Sequence, residues 1–257
     1  MRVKEYSVRQ VERPCAGLLL VIVSYIVLCL LYFMPVQVPH KIALPLLLLS
    51  AVSLWRLPWL MCLAMISSCL GDLLGSMHSF EGQMLSFGIA HICMVIYFSW
   101  RYAGSSGIMS SPVLPFSGRA ACSGRTVGTC NGGNADGPSL MPQPRCFLTP
   151  YNIIVTLLVL CLVVFSFVKV IPAAPQGFLR YGVSGYCIVI SAMLLTALLQ
   201  RDAVIAAGAV LFVCSDMVLG WNRFVSPVDG ASYMIMVPYY LGQFLIFIGT
   251  SSFRRRR

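Results

Sequence analysis

Charged side chains are scarce in this sequence. They make up 10% of the 257 residues, and only eight of them are aspartate or glutamate. A soluble domain usually carries about 25% charged residues. Hydrophobic residues account for 58% of the chain, and a soluble fold of that composition would leave far too much apolar surface in water. The composition therefore predicts an integral membrane protein.

Several catalytic and metal-binding patterns are also missing. No C-x-x-C pair occurs among the eleven cysteines, so neither a zinc site nor a disulfide framework is predicted. The sequence contains no G-x-S-x-G, H-E-x-x-H or P-loop motif. Those absences disfavour a serine lipase, a zinc protease and a nucleotide-driven pump. We therefore expect no metal and no cofactor.

Apolar stretches long enough to approach the thickness of a bilayer follow one another along the chain. We count eight, of which the second is the shortest, and predict an all-α membrane protein with eight transmembrane helices. The stretches are Cys15–Met34, Ile42–Trp55, Pro58–Met77, Met84–Trp100, Tyr151–Ile171, Phe178–Leu199, Ala203–Gly220 and Tyr233–Phe253.

The basic residues fall mostly on one side of this topology. An even number of spans puts both termini on the same side, and fourteen of the eighteen basic residues lie there. Because loops rich in Lys and Arg stay in the cytoplasm, we predict cytoplasmic termini, comprising residues 1–14 and the basic tail 254–257. The charges are scattered over short loops, so no nucleic-acid partner is expected. The remaining four are Lys41, Lys169, Arg180 and Arg223.

Residues 104–149 differ from the rest of the chain. They are rich in Ser, Gly and Pro and show no apolar period, which predicts a disordered cytoplasmic loop. This loop separates transmembrane helices 1–4 (residues 15–103) from helices 5–8 (residues 150–253). An aspartate near the end of the third span and another in the seventh, each followed eight residues later by Phe, predict a parallel 4+4 repeat.

Polar side chains occur deep in four of the spans. At 1.5 Å per residue, Asp72 and Asp216 lie roughly 20 Å from the cytoplasmic ends of their helices. His91, Tyr239 and Tyr240 fall at a similar depth on the fourth and eighth spans. An Asp near the centre of a span costs about 3 kcal/mol. We therefore expect these side chains to face the interior of the bundle or a water-filled cavity.

Two carboxyl groups in such a layer allow two kinds of function. An apolar pocket favours the neutral form of a carboxyl, and hydrogen-bond donors favour the ionised form, so one group can act as acid and the other as base. That division suits a reaction through an oxocarbenium-like cation. It equally suits a proton or cation pathway. The spacing of the residues leaves both readings open.

Two runs of residues resemble a known family. The first extends from Leu211 to Phe224 and continues from Met234 to Gln243; the second is Gly71-Asp72 followed by Phe80, Gly82, Phe87 and His91. Both are similar to the lysoplasmalogenases, the YhhN-like membrane enzymes. Asp72 and Asp216 match that family's paired aspartates.

This resemblance implies hydrolysis of the vinyl-ether bond of lysoplasmalogens in the endoplasmic reticulum membrane. The partners would be a lysophospholipid substrate, water and the surrounding membrane lipids. Asp72 has leucines around it, whereas Asp216 adjoins Ser215 and lies near Asn222; because an apolar site favours the neutral acid, we expect Asp72 to donate the proton and Asp216 to act as the base. A secondary transporter or lipid carrier that uses the aspartates as a proton or ion site is the alternative. The residues expected to contact substrate are His91, Asn222, Tyr239, Tyr240 and Gln243.

Overall fold

A computed structural model of the chain describes residues 3–105 and 149–255, with side chains described within 17–104 and 149–251. These residues form α-helices and contain no strand, so the predicted all-α class is confirmed. The loop predicted over residues 104–149 lies almost entirely outside the described residues. The helices are α1 (Val3–Phe33), α2 (Leu44–Arg56), α3 (Trp59–Ser76), α4 (Phe80–Ser105), α5 (Pro150–Phe165), α6 (Phe178–Leu199), α7 (Ala203–Phe224) and α8 (Ala231–Arg255).

Six helical stretches in the described residues are long and apolar enough to cross a membrane. The apolar part of α1 that is described, Gly17–Phe33, is shorter than these six, and α2 has only 13 residues. The chain is thus an integral membrane protein, while the crossing number of eight stays a prediction. The six stretches are Trp59–Ser76, Phe80–Gly104, Pro150–Val170, Phe178–Leu199, Ala203–Phe224 and Ala231–Ser251.

The helices α3 and α4 form a tight hairpin. A three-residue turn joins them, in which His78 adopts a left-handed backbone with φ of 62°. The ring of Phe87 on α4 lies so close to Gly71 that an added Cβ there would be 3.2 Å from it. This packing brings the last turns of α3, which carry Asp72, against the first turns of α4.

A second hairpin, between α7 and α8, depends on two glycines. A Cβ added to Gly208 would lie 2.9 Å from the carbonyl oxygen of Gly242, and one added to Gly242 would lie 2.8 Å from that of Gly208. Small residues let membrane helices approach backbone to backbone. The two hairpins occupy corresponding places in the two halves of the chain, but the symmetry of the predicted 4+4 repeat is not tested by these contacts and stays a prediction.

One end of the bundle is held by a capped helix and an ion pair. Asp202 caps α7, since its Oδ1 accepts from the backbone N–H of Val204 at 3.1 Å. Its other oxygen, Oδ2, accepts from Nη2 of Arg101 at 3.0 Å. Arg101 is near the end of α4, so this pair joins α4 to the start of α7.

We call the opposite end of the bundle the Lys41 end. There the C-terminal end of α1 contacts the N-terminal end of α8. The hydroxyls of Tyr32 and Ser232 lie 3.0 Å apart there. A single turn of 3₁₀-helix, Lys41–Ala43, leads into α2. This end holds the four basic residues that the charge distribution assigns to the non-cytoplasmic side.

Candidate active site

Asp72 lies in the last turns of α3 and is almost fully buried, with 1% of its surface exposed. The hydroxyl of Tyr239 on α8 donates a hydrogen bond to its Oδ2 at 3.0 Å. One turn away, Nε2 of Gln243 donates to Oγ of Ser68 at 3.1 Å. The two bonds join α3 to α8 in antiparallel register and fix the carboxyl group against the phenol.

A proline interrupts the hydrogen bonding of α8 next to Tyr239. Pro238 has no N–H, so the helical bond to the carbonyl of Met234 is absent at that point. The next carbonyl, that of Ile235, accepts a bond from Oγ of Ser215 on α7 at 2.8 Å. The disturbed turn is thereby tied to α7 directly beside Asp216.

Asp216 has its own phenol donor. The hydroxyl of Tyr186 on α6 donates a short hydrogen bond to its Oδ2. The same hydroxyl lies 3.3 Å from Nε2 of His91 on α4. His91 is fully buried, and its Nδ1 has no hydrogen-bond partner among the described residues. A chain of three polar groups therefore runs from His91 through Tyr186 to Asp216.

Both aspartates line one cavity, which we call the inner cavity. Its volume is about 190 Å³. The carboxyl groups and the hydroxyls of Tyr239 and Ser215 line it together with the side chain of Gln83. With Tyr32 and Ser232, seven polar residues line this one space, which is large enough for several water molecules or a small polar group of a ligand.

A second, apolar cavity adjoins the inner one. It has a volume of about 80 Å³ and lies between α4, α5, α6 and α7. Aliphatic side chains such as Leu162, Val183 and Ile190 form most of its wall. Four residues line both cavities: Gln83, Phe87, Asp216 and Leu219. Asp216 is therefore at the junction of a polar and an apolar space, whereas Asp72 lines only the polar one.

Four of the residues expected to contact substrate line neither cavity: His91, which is connected to Asp216 only through Tyr186, and Tyr240, Gln243 and Asn222. The hydroxyl of Tyr240 donates to the carbonyl of Ile42 at 2.9 Å. Gln243 is fully buried and bonds to Ser68. The side-chain oxygen of Asn222 accepts from the N–H of Val228 at 2.8 Å, within the loop that follows α7. Each of these last three side chains thus stabilises the fold at its own position.

Two residues of the site were missed from the sequence. Tyr186 lies eight residues into a span that begins at Phe178. At 1.5 Å per residue it is about 12 Å from the Lys41 end of the bundle. A polar side chain at this depth of the sixth span is the signal in the sequence that identifies Tyr186. Gln83 gave no such signal, because it lies near the start of α4, where polar residues are common.

Comparison with known proteins gives a partial match. The profile of the YhhN family matches residues 145–250, less than half of the chain. Over 64 residues the chain is 41% identical to human lysoplasmalogenase TMEM86B, and the aligned segment covers 25% of this chain and 28% of that relative. No solved structure matches.

The resemblance to the YhhN family is thus confirmed for the part of the chain that carries Asp216 and Tyr239. Residues 71–91, with Asp72 and His91, lie outside the family match, so their resemblance stays a prediction. The relative's name is that of an enzyme, and nothing in the comparisons favours the transporter alternative.

Proposed function

We propose that the protein is a membrane-embedded hydrolase that cleaves the vinyl-ether bond of lysoplasmalogens. The products would be a fatty aldehyde and glycerophosphoethanolamine or glycerophosphocholine. The observation that carries the proposal is that two carboxyl groups, from α3 and α7, line one polar cavity that continues past Asp216 into an apolar one. The similarity to human lysoplasmalogenase over part of the chain supports it.

The two cavities suit the two ends of such a substrate. The chain carbons next to the vinyl ether are apolar and suit the space walled by α4 to α7, which at about 80 Å³ holds only a few of them, while the glycerol carbons and water suit the inner cavity. The vinyl ether, which joins chain to glycerol, would then lie at the junction beside Asp216, Gln83 and Phe87. A site of this kind, mostly apolar with a few convergent polar groups, is typical of a ligand pocket.

The reaction needs one proton donor and one proton acceptor. A carboxyl group transfers a proton to the chain carbon that is second from the ether oxygen, and the electrons of the double bond form the new C–H bond. The first carbon and the oxygen become an oxocarbenium ion. Water attacks the first carbon as the other carboxylate removes a proton, which gives a hemiacetal. In the collapse of the hemiacetal, the protonated base gives its proton to the glycerol oxygen as the carbon–oxygen bond to glycerol breaks. The hemiacetal hydroxyl gives its proton to the other carboxylate, which releases the aldehyde and restores both carboxyl groups.

The order of the cavities favours Asp216 as the proton donor. The carbon that accepts the proton lies on the chain side of the vinyl ether, and Asp216 is the carboxyl that borders the apolar cavity. Asp72 lines only the inner cavity, where the attacking water would be. This assignment is the reverse of the one expected from the neighbouring residues in sequence. That expectation relied partly on Asn222, whose side-chain oxygen caps a loop instead.

Each carboxyl group is held by one phenol, which fixes its orientation before substrate binds. Tyr239 donates to Asp72 at 3.0 Å, and Tyr186 donates to Asp216. Preorganised polar groups in a water-poor site stabilise developing charge more strongly than solvent does. Two carboxyl groups around an oxocarbenium centre would provide that stabilisation here.

We also propose that the enzyme resides in the endoplasmic reticulum membrane, as its resemblance to the lysoplasmalogenases implies.

The direct test is aldehyde release by the purified protein from a defined lysoplasmalogen. The matched control substrate is a 1-acyl lysophospholipid of the same chain length and head group, which has an ester in place of the vinyl ether. We expect aldehyde from the first and no fatty acid from the second. Cleavage of the ester alone, or of neither substrate, would overturn the proposal.

A further inference from the structure

A third cavity lies at the Lys41 end of the bundle, outward of the inner cavity, and we call it the outer cavity. It is about 290 Å³ in volume and is lined by Tyr32, Phe33, Lys41, Ser232 and Tyr233. Tyr32 and Ser232 also line the inner cavity. Their hydroxyls, 3.0 Å apart, form the boundary between the two spaces.

Of the described residues that line the outer cavity, Lys41 alone is charged. Its Nζ donates to the carbonyl oxygens of Met34 at 2.8 Å and Val36 at 3.4 Å. An ammonium group has three N–H donors, so one remains for a ligand. Within the described residues no carboxylate forms an ion pair with it. The cavity thus contains a positioned cation that no carboxylate among the described residues neutralises.

The hydroxyl pair adds a further donor. Whichever of Tyr32 and Ser232 donates to the other, the acceptor keeps its own O–H free. A lysine ammonium and a hydroxyl on the wall of one cavity are well suited to phosphate oxygens, because hydrogen bonds to an ionised group are about twice as strong as neutral ones. Neither group suits a cation or an aliphatic chain.

We propose that the outer cavity binds the phosphodiester of the substrate's head group, with Lys41 as its counter-ion. This inference rests on the proposed function and adds the position of the head group. The order of the three cavities, outer, inner and apolar, matches the order of phosphate, glycerol with vinyl ether, and hydrocarbon chain in a lysoplasmalogen. A substrate would therefore extend from the outer cavity at the Lys41 end through the inner cavity to the apolar cavity between α4 and α7.

The amine of the head group has no comparable partner. Among the described residues no carboxylate lines the outer cavity, and part of its wall is the stacked pair Phe33 and Tyr233, with ring centroids 4.8 Å apart. Recognition should therefore depend mainly on the phosphate. The site selects for a phosphorylated lysolipid over a neutral one.

The test measures binding separately from hydrolysis. The ligand is a saturated 1-alkyl lysophospholipid, which has no vinyl ether to cleave, and its partner is the matching 1-alkylglycerol without phosphate. Lys41→Gln removes the charge, and Lys169→Gln is the control. Lys169 is exposed and lines none of the three cavities. Lys41→Gln should weaken binding of the phospholipid at least about 10-fold, since a charge-assisted bond is lost, while Lys169→Gln should have no effect.

The phosphate-free ligand separates recognition from folding. Binding of the alkylglycerol should be equal in wild type and Lys41→Gln. Equal loss for both ligands would mean that Lys41 acts only through the structure, and unchanged phospholipid binding would mean that the phosphate binds elsewhere; either result overturns the inference. Because no turnover is needed, the result stands even if aldehyde release is absent and the proposed reaction is wrong.

A final arm distinguishes the lipid from a free anion. Inorganic phosphate is added during alkylglycerol binding to wild type and to Lys41→Gln. We expect no change in either protein. An increase in alkylglycerol affinity that occurs in wild type and is lost in Lys41→Gln would assign the cavity to a free phosphate ion and overturn the assignment to the lipid head group.

Discussion

Tyr239 on α8 donates a hydrogen bond to Asp72 on α3 at 3.0 Å, and both side chains are buried. The adjacent residue on α8, Tyr240, donates instead to the carbonyl of Ile42 at 2.9 Å. Two neighbouring tyrosines on one helix therefore have different surroundings, one in the candidate active site and one in the packing of the bundle. This difference provides a matched pair for mutagenesis.

Replacing Tyr239 by Phe should lower the rate constant for aldehyde release about 10-fold or more, because the carboxyl of Asp72 loses the donor that orients it. Tyr240→Phe should keep the rate constant near that of wild type and lower thermal stability, since a buried hydrogen bond contributes about 1 kcal/mol. The measurements are steady-state kinetics and thermal unfolding in detergent. Equal kinetic effects of the two variants would contradict the distinction.

The aspartates themselves should be indispensable. Asp72→Asn and Asp216→Asn keep the size of the side chain but remove proton transfer, and general acid–base steps are typically worth 10²–10⁴-fold in rate. We expect a loss of at least about 100-fold in the rate constant for each variant, with a folded protein by gel filtration. A rise in KM with the rate constant largely kept would indicate binding alone.

The roles of the two aspartates can be separated in D₂O. A variant that keeps the proton donor but lacks the base should form the oxocarbenium ion and return it to substrate, which leaves deuterium on the second chain carbon. We expect mass spectrometry to find deuterium in substrate recovered from Asp72→Asn. Substrate recovered from Asp216→Asn should contain none. The opposite pattern would make Asp72 the donor.

The close contact of α7 and α8 gives a prediction about stability. Gly208→Ala would put a Cβ 2.9 Å from the carbonyl oxygen of Gly242, and overpacking of this kind costs about 1–3 kcal/mol. Gly185→Ala is the control, because nothing lies within 4 Å of a Cβ added at that helical position. Thermal unfolding should occur at a lower temperature for the first variant only. A Gly208→Ala protein as stable as wild type would mean that the helices are further apart.

The topology predicts that both termini face the cytoplasm, because fourteen of eighteen basic residues then lie on that side. Tags at residue 1 and residue 257 should be digested by protease in sealed microsomes without detergent. Protection of either tag until detergent is added would contradict the orientation. It would also reverse the side on which the Lys41 end of the bundle lies.

Composition and charge pattern were sufficient for the class of protein. Apolar stretches must face lipid and backbone groups must bond internally, so a chain with so little charge is restricted to membrane helices. Helices α3 to α8 begin and end close to the predicted stretches for that reason. The second predicted span stays a prediction, because the 13 residues of α2 are few for a crossing.

Depth along a helix could also be read from the sequence, and it identified Asp72, Asp216 and Tyr239 as residues of one layer. The direction in which each side chain points could not be read from the sequence, because the rotation of a helix about its axis is set by the helices packed against it. Gly208 and Gly242 allow α7 and α8 to pack backbone to backbone, and Gly71 leaves space for the ring of Phe87. Those contacts turn Tyr239 toward Asp72 and Tyr240 toward Ile42.

The sequence by itself determined that carboxyl groups lie within an apolar bundle and at what depth, since burial of charge and the rise per residue are local properties. Only the tertiary structure decided what surrounds them. It brought Tyr186 of α6 to Asp216, a pairing between residues 30 positions apart, and Tyr239 to Asp72, across 167 positions. It also placed three cavities next to one another, each sharing lining residues with the next. Such long-range contacts depend on how helices pack, which no single stretch of the chain specifies.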